Sequence, residues 1–223
     1  MLAGMFEGFT LERVDVGEAV LRVRHGGSGP PLVLLHGHPR THTTWHRVAP
    51  LLASSYTVVC PDCGYGKSSK PATTPDHAPY SKRAMGNDVV ALMAHLGHDS
   101  FALLGHDRGA LAAFHTALDH PDRVAALAIA DGLPVIEHLE RCDERFASAW
   151  WHWFFFAQTE KPAEYFISLD PDAWYTPNRA LMGAENLADY ERAVRRVPGV
   201  RVERDEVLGG LLGLGEEEPV PPR

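Results

Sequence analysis

The stretch Phe101-Ala-Leu-Leu-Gly-His-Asp-Arg-Gly109 decides how the rest of the chain is read. Phe101 to Leu104 is a short, continuous apolar run, which suits a strand buried on both faces. Gly105-His-Asp-Arg-Gly109 follows at once, and Ala110 to Leu118 reads as a helix. A strand that enters a helix through small–x–acid–x–small has the pattern of a nucleophile elbow. The turn is so tight that only small residues fit at its first and last positions. It lifts the middle side chain to the carboxyl edge of the sheet, where open α/β folds bind ligands. The helix N-terminus behind it favours negative charge.

The middle residue is Asp107. A carboxylate is ionised at neutral pH, with a reference pKa of about 3.9, so it needs no partner to remove a proton before attack. It is a poor nucleophile against amides, because the tetrahedral adduct expels it again. It suits displacement at a saturated carbon bearing a leaving group, such as a halide or an epoxide oxygen. The product is an aspartyl ester, which water hydrolyses with help from a general base. The plainer reading of Asp107 is a helix N-cap.

Outward from the elbow, Leu11 to Arg24 reads as two short strands turning at Gly17, and Gly26 to Pro31 as a turn. Leu32–Leu35 and Tyr56–Cys60 are further buried strands, and Val124–Ala130 is another. Thr43–Ala53 and Ser81–Leu96 are helices, the second with Ser81 as N-cap and Met85, Val89, Leu92, Met93 and Leu96 on one face. A Gly/Pro/Ser-rich loop joins Pro61 to Pro79. Alternating strands and helices predict an α/β fold, with a mostly parallel sheet covered on both faces. Beyond Pro134 the pattern changes. Glu137–Gln158 reads as one long aromatic-rich helix and Pro162–Arg196 as further helical pieces. Pro198–Arg223 is a biased Gly/Leu/Glu/Pro segment with no clear element.

Composition narrows the function. Among 223 residues, 21 Lys+Arg stand against 29 Asp+Glu, a formal charge of −8. A non-specific nucleic-acid binder needs the opposite sign. No apolar run approaches the roughly 20 residues that span a bilayer, and the first residues do not read as a signal peptide. Three cysteines fit a reduced cytoplasm better than a disulfide framework. Cys60 is expected to be a core thiol and Cys63 a loop residue. His36, His38, His42 and His46 crowd one loop without a known ligand spacing, so no metal is expected. Gly64-Tyr-Gly66 is turn chemistry rather than a phosphate loop, and no cofactor is expected.

Two more signals support a site at Asp107. His36-Gly-His-Pro39 ends the strand Leu32–Leu35, and in this architecture the loop after that strand supplies one oxyanion N–H. The residue after the nucleophile supplies the other, so the candidates are the backbone amides of His38 and Arg108. Asp131 ends the last strand; it can orient a catalytic imidazole or be a plain turn residue.

These residues resemble the Asp-nucleophile branch of the α/β-hydrolase superfamily, and within it the haloacetate (fluoroacetate) dehalogenases. The matching phrases are His36-Gly-His-Pro-Arg-Thr-His-Thr-Thr-Trp-His46, Asp62-Cys-Gly-Tyr-Gly-Lys-Ser-Ser69, Gly105-His-Asp-Arg-Gly109 and His152-Trp153. The likeness runs from about Phe9 to Tyr190. It implies an α/β-hydrolase core over residues 1–134, a helical cap over 135–197 and an irregular tail over 198–223. It implies that Asp107 is the nucleophile, that Arg108 binds a substrate carboxylate, that Asp131 is the triad acid, and that His152 and Trp153 hold the departing halide. A departing anion gains most from fixed donors in a dry pocket. Most aromatics of Trp150-Trp-His-Trp-Phe-Phe-Phe156 are expected to be core packing of a cap helix. The partner is a small molecule, and a homodimer is left open.

The sequence departs from that family at three places. A second Arg four residues past the nucleophile is here Leu111. A Tyr beyond the cap, the third halide ligand, has no match near Arg204–Gly209. The triad His, expected after two more strands near the C-terminus, has no counterpart beyond His152. A truncated or frameshifted member, lacking its C-terminal strands and slow to hydrolyse the ester, is therefore expected. An epoxide hydrolase using Tyr165, Tyr175 or Tyr190 is the enzymatic alternative. A non-catalytic remnant or small-molecule binder is the alternative of another class.

Overall fold

The computed structural model describes residues 5–63, 68–69, 74, 76–158, 162–170, 173–174, 183 and 187–189. Six strands form one sheet: β1 (Thr10–Asp15), β2 (Val20–Gly27), β3 (Pro31–Leu35), β4 (Thr57–Pro61), β5 (Phe101–His106) and β6 (Val124–Ala130). Their order is β1-β2-β4-β3-β5-β6. The β4-β3-β5-β6 part is parallel, while β1 and β2 form an antiparallel hairpin that joins β4 antiparallel. At the hairpin turn Gly17 adopts φ +99° and donates its N–H to Asp15 Oδ1 at 2.9 Å. The fold is an α/β-hydrolase type of mixed, mostly parallel sheet flanked by helices.

The continuous apolar runs follow from burial on two faces, since successive strand residues point to opposite sides. Val33, Leu35, Val59, Phe101 and Leu103 face one layer, where α2 (Lys82–His95) brings Val89, Leu92 and Met93, and α3 (Arg108–Asp119) brings Ala112 and Ala113. Leu34, Val58 and Cys60 face the other layer, against Phe6, Trp45 and Ala49. Ser81 caps α2 as expected, its Oγ accepting the Ala84 N–H at 3.1 Å.

Three local expectations change. Thr43–Ala53 is not one helix but a single 3-10 turn, His42–Trp45, followed by the short α1 (Ala49–Leu52). Pro50 lacks an N–H, so a helix can only begin around it. Glu137–Gln158 breaks into α4 (Val135–Leu139), α5 (Glu144–Ala149) and α6 (Trp151–Phe156). Asp143 accepts the Phe146 N–H at 2.7 Å and starts a helix of its own, and Trp150, at φ −116° and ψ 29°, separates the last two. The aromatics there are not all core: Phe156 is buried, but Trp150, Trp151 and Phe154 are 45%, 52% and 37% exposed. Cys63 follows β4 as the expected loop residue and is buried against the α2 layer, where burial pushes its thiol well up.

An exposed apolar edge is expected where two further strands are missing, and among the described residues β6 presents one. Leu127 and Ile129 are 38% and 39% exposed, because no described strand pairs with its outer edge. Past the short helices comes α7 (Pro162–Leu169). The Gly64–Gly66 turn, most of the helical pieces expected up to Arg196, the Arg204–Gly209 region and the 198–223 tail lie outside the described residues. Among the described residues no helix is long and apolar enough to cross a membrane.

Candidate active site

Asp107 sits where β5 gives way to α3, at φ 54° and ψ −120°. A non-glycine residue in that region costs on the order of 1–3 kcal/mol and persists only where its surroundings impose it. The surroundings are visible. A Cβ on Gly105 would run into the Gly109 backbone, and one on Gly109 would run into the backbone of Leu35 and His36. The small residues of the motif are required by this close approach of β5, α3 and β3. Gly37 has the same cause: a Cβ there would press on the Asp107 side chain, 2.8 Å from Cγ.

Asp107 holds the N-cap position of α3, yet its side chain caps nothing. Its Oδ1 instead accepts the His38 N–H at 2.7 Å, across from the β3 loop. The plainer cap reading is therefore not what the side chain does: it reaches across to the β3 loop. One carboxylate oxygen is pinned by a backbone donor and the Arg108 amide opens the helix directly behind.

The loop that carries the His38 amide is anchored from below. Asp62, fully buried at the end of β4, accepts the His42 N–H at 2.6 Å and the His42 Nδ1–H at 2.9 Å. Arg22 donates to Asp62 at 3.1 Å and also lies 3.4 Å from Asp189, which accepts the Thr41 hydroxyl at 2.6 Å. Burial by itself would raise the Asp62 carboxyl. The His42 hydrogen bond and the charges of His42, His36 and Arg22 outweigh it and hold the group below its ordinary value. A paired, buried carboxylate of this kind fixes loop geometry, and removing one partner is costly.

A cavity of about 440 Å³ opens in front of Asp107, lined among others by His38, Arg108, Asp131, His138, His152 and Trp153. The Arg108 guanidinium is buried and lies 5.6 Å from the centre of the Phe156 ring, a cation–π distance. His152 is half-buried; burial first, then the Arg108 charge, lower its basicity, while Asp107 opposes. Burial and Arg108 likewise push the His38 imidazole well down. Both rings are therefore neutral near pH 7, and a neutral ring still offers one N–H. Trp153 packs edge-on to His138, with centroids 4.8 Å apart. A second hollow of about 620 Å³, lined by Glu18, Asp76 and Asp88 among others, shares no lining residue with the first.

The structure thus brings Asp107, Arg108, His38, His152, Trp153 and Asp131 around one cavity. Asp131, after β6, has φ 50° and a carboxylate 88% exposed; His106 Nε2 lies 3.8 Å from its Oδ2, beyond hydrogen-bonding distance. Tyr165 is 61% exposed on α7 and does not line the cavity. Tyr175 and Tyr190 lie outside the described residues. Leu111, at the position of the family's second Arg, does line it. His138, His106 and Arg40 line the cavity without having been singled out. The signal for His106 was inside the elbow motif, where it reads as a spacer. His138 sits in a stretch read as uniform helix.

Comparison with known proteins agrees with this architecture. Residues 30–168 match the family model described as the alpha/beta hydrolase fold. The chain is 51% identical over 172 residues to the fluoroacetate dehalogenase of Burkholderia sp, covering 77% of this chain and 57% of that protein. It is 37% identical over 186 residues to the soluble epoxide hydrolase of Corynebacterium sp. (strain C12), covering 78% and 62%. A crystal structure assigned to the alpha/beta hydrolases, from Nostoc sp PCC 7120, superposes with a TM-score of 0.82 at 38% identity, covering 93% of this chain and 72% of that one. The chain therefore spans about three fifths of the length of these two curated relatives. With a strand–elbow–helix built around Asp107 and a family model that spans more than half its length, this chain belongs to the alpha/beta hydrolase fold family.

Proposed function

We propose that the site displaces halide from a small haloacid by forming an ester on Asp107. The observation that carries this reading is a carboxylate that caps nothing, has Oδ1 held by the His38 amide, and faces a cavity walled by ring N–H donors. In the first step the second carboxylate oxygen attacks the carbon bearing the halogen. The new C–O bond forms as the C–halogen bond breaks, and the halide leaves with the electron pair. His152 and Trp153, which line the cavity, donate to it on this reading, and Arg108 pairs with the substrate carboxylate. In the second step water attacks the ester carbonyl, a base takes its proton, and the hydroxyacid leaves. Among the described residues no imidazole is within hydrogen-bonding distance of Asp131, so the first step is expected to outrun the second.

Intact-mass measurement after incubation with chloroacetate tests this. The expected product carries one carboxymethyl group on Asp107, with one chloride released per chain and little turnover. The Asp107→Ala chain is expected to form none. The likeness to a soluble epoxide hydrolase favours a second reading. An adduct with a terminal epoxide and none with chloroacetate would establish that reading instead. No adduct with either would leave a binding role and overturn both enzymatic readings.

A further inference from the structure

Lys82 opens α2, where an amine ordinarily reaches solvent, yet the residue is only 1% exposed. Among the described residues the one hydrogen-bond acceptor its Nζ meets is the Met85 thioether, 3.9 Å away. A thioether is a weak acceptor and replaces little of the water stripped from an ammonium. Lys82 is coupled by charge to groups from three neighbouring segments. Asp107, Arg108 and His115 come from the elbow and α3, Cys63 from the end of β4, and His38 from the β3 loop. Cys63 is a neutral thiol and His38 a neutral imidazole near pH 7, since burial pushes the first up and the second down. Burial, then Arg108, lower the Lys82 amine to about 7, against the pull of Asp107 and Cys63. Lys82 does not line the cavity, so it acts on a ligand through the elbow rather than by contact.

The charge count then matters. With Lys82 neutral, the elbow holds one anion, Asp107, and one cation, Arg108. An anionic substrate adds a second negative charge, and it must approach the very carboxylate that attacks it. In a poorly solvated site this imbalance is felt strongly. We propose that Lys82 is a positioning residue that takes up a proton from solvent when a small carboxylate enters the cavity, supplying the second positive charge from the α2 side. This rests on the haloacid reading of the site. Linkage fixes the sign. Carboxylate affinity is higher at pH values below the Lys82 midpoint and falls as pH rises through it, and a bound carboxylate raises the midpoint reciprocally.

The test uses the full chain with 13Cε-labelled lysine, the Lys82 resonance being the one lost in Lys82→Met. Glycolate, the hydroxyacid that haloacetate hydrolysis yields, is the probe, and glycolamide its uncharged control. Saturating glycolate is expected to raise the proton affinity of Lys82 about tenfold, and glycolamide to leave it unmoved. Lys82→Met is expected to bind glycolate about tenfold more weakly at pH 6 and with a flattened pH profile. Lys82→Arg, permanently charged, is expected to hold the low-pH affinity at pH 9. A Lys82 midpoint that ignores bound glycolate, or an unchanged pH profile in Lys82→Met, overturns the proposal. If Lys82→Met fails to fold, the resonance lost in Lys82→Arg supplies the same assignment, and the labelled unaltered chain still decides the matter. If the chain forms the chloroacetate ester while Lys82 does not respond, only the Lys82 proposal falls. If glycolate does not bind and no ester forms, the haloacid reading falls and takes this one with it.

Discussion

β5 and β6 are hydrogen-bonded neighbours in one sheet, parallel along their length and similar in composition: Phe101-Ala-Leu-Leu-Gly-His106 beside Val124-Ala-Ala-Leu-Ala-Ile-Ala130. Their environments differ sharply. β5 lies between β3 and β6 with α2 and α3 packed over it, and Phe101 and Leu103 are each 1% exposed. Among the described residues β6 pairs along one edge only, and most of its residues are exposed. An apolar strand is buried by its neighbours, not by its own composition. The two strands also end in the two acids of the site. Asp107 hangs from the clamped strand with Oδ1 fixed, while Asp131 hangs from the open one with its carboxylate in solvent. On the proposed reading, the acid assigned to attack is the one held in place, and the acid assigned to orient a base is the one left in solvent.

The largest expected effect lies where β5 meets α3. Gly109→Val must drive side-chain atoms into the Leu35 and His36 backbone, which cannot yield without separating β3 from the elbow. Urea unfolding is expected to register a loss of about 4 kcal/mol or more, with ester formation abolished. A cost under about 1 kcal/mol would mean that the elbow is not clamped as described.

A paired truncation addresses the strands themselves. Leu103→Ala leaves a cavity among Val33, Val89 and Leu92 and is expected to cost about 3 kcal/mol. Leu127→Ala removes a side chain already in part solvated and is expected to cost about 1 kcal/mol or less. Equal costs in denaturant melts would show that β6 is covered in solution, and the contrast would then be lost.

Much of this was legible in the sequence, for identifiable reasons. Leu32–Leu35 and Phe101–Leu104 read as buried strands because a continuous run of four apolar residues suits a strand covered on both faces in an α/β fold. The elbow was legible because backbone contact dictates Gly105 and Gly109, and nothing larger passes. Ser81 announced α2 through its hydroxyl. What stayed hidden depends on partners distant in sequence. Lys82 reads as an exposed first-turn residue; only the packing of α2 beside the elbow buries it. The break in Glu137–Gln158 is set by Asp143 capping its own helix, where periodicity alone favours continuity. The exposure of Leu127 cannot be read from Leu127, because it turns on what lies across the sheet edge.

The smallest expected effect is the most discriminating. Ile129 sits on β6 at 39% exposure, on the open edge of the sheet. A charged residue there should cost little, since its head reaches water while its stem covers the strand. It should also discourage edge-to-edge pairing, which an unpaired apolar strand invites. Ile129→Lys is therefore expected to change unfolding free energy by no more than about 0.5 kcal/mol. It should lower both the binding of a hydrophobic dye and concentration-dependent light scattering. The same substitution at Leu103 buries an ammonium with no acceptor and is expected to prevent folding. If Ile129→Lys costs several kcal/mol, another surface covers β6 in solution. Asp131, which follows β6, would then stand at the rim of a buried interface, and its 88% exposed carboxylate would lie against whatever covers that strand.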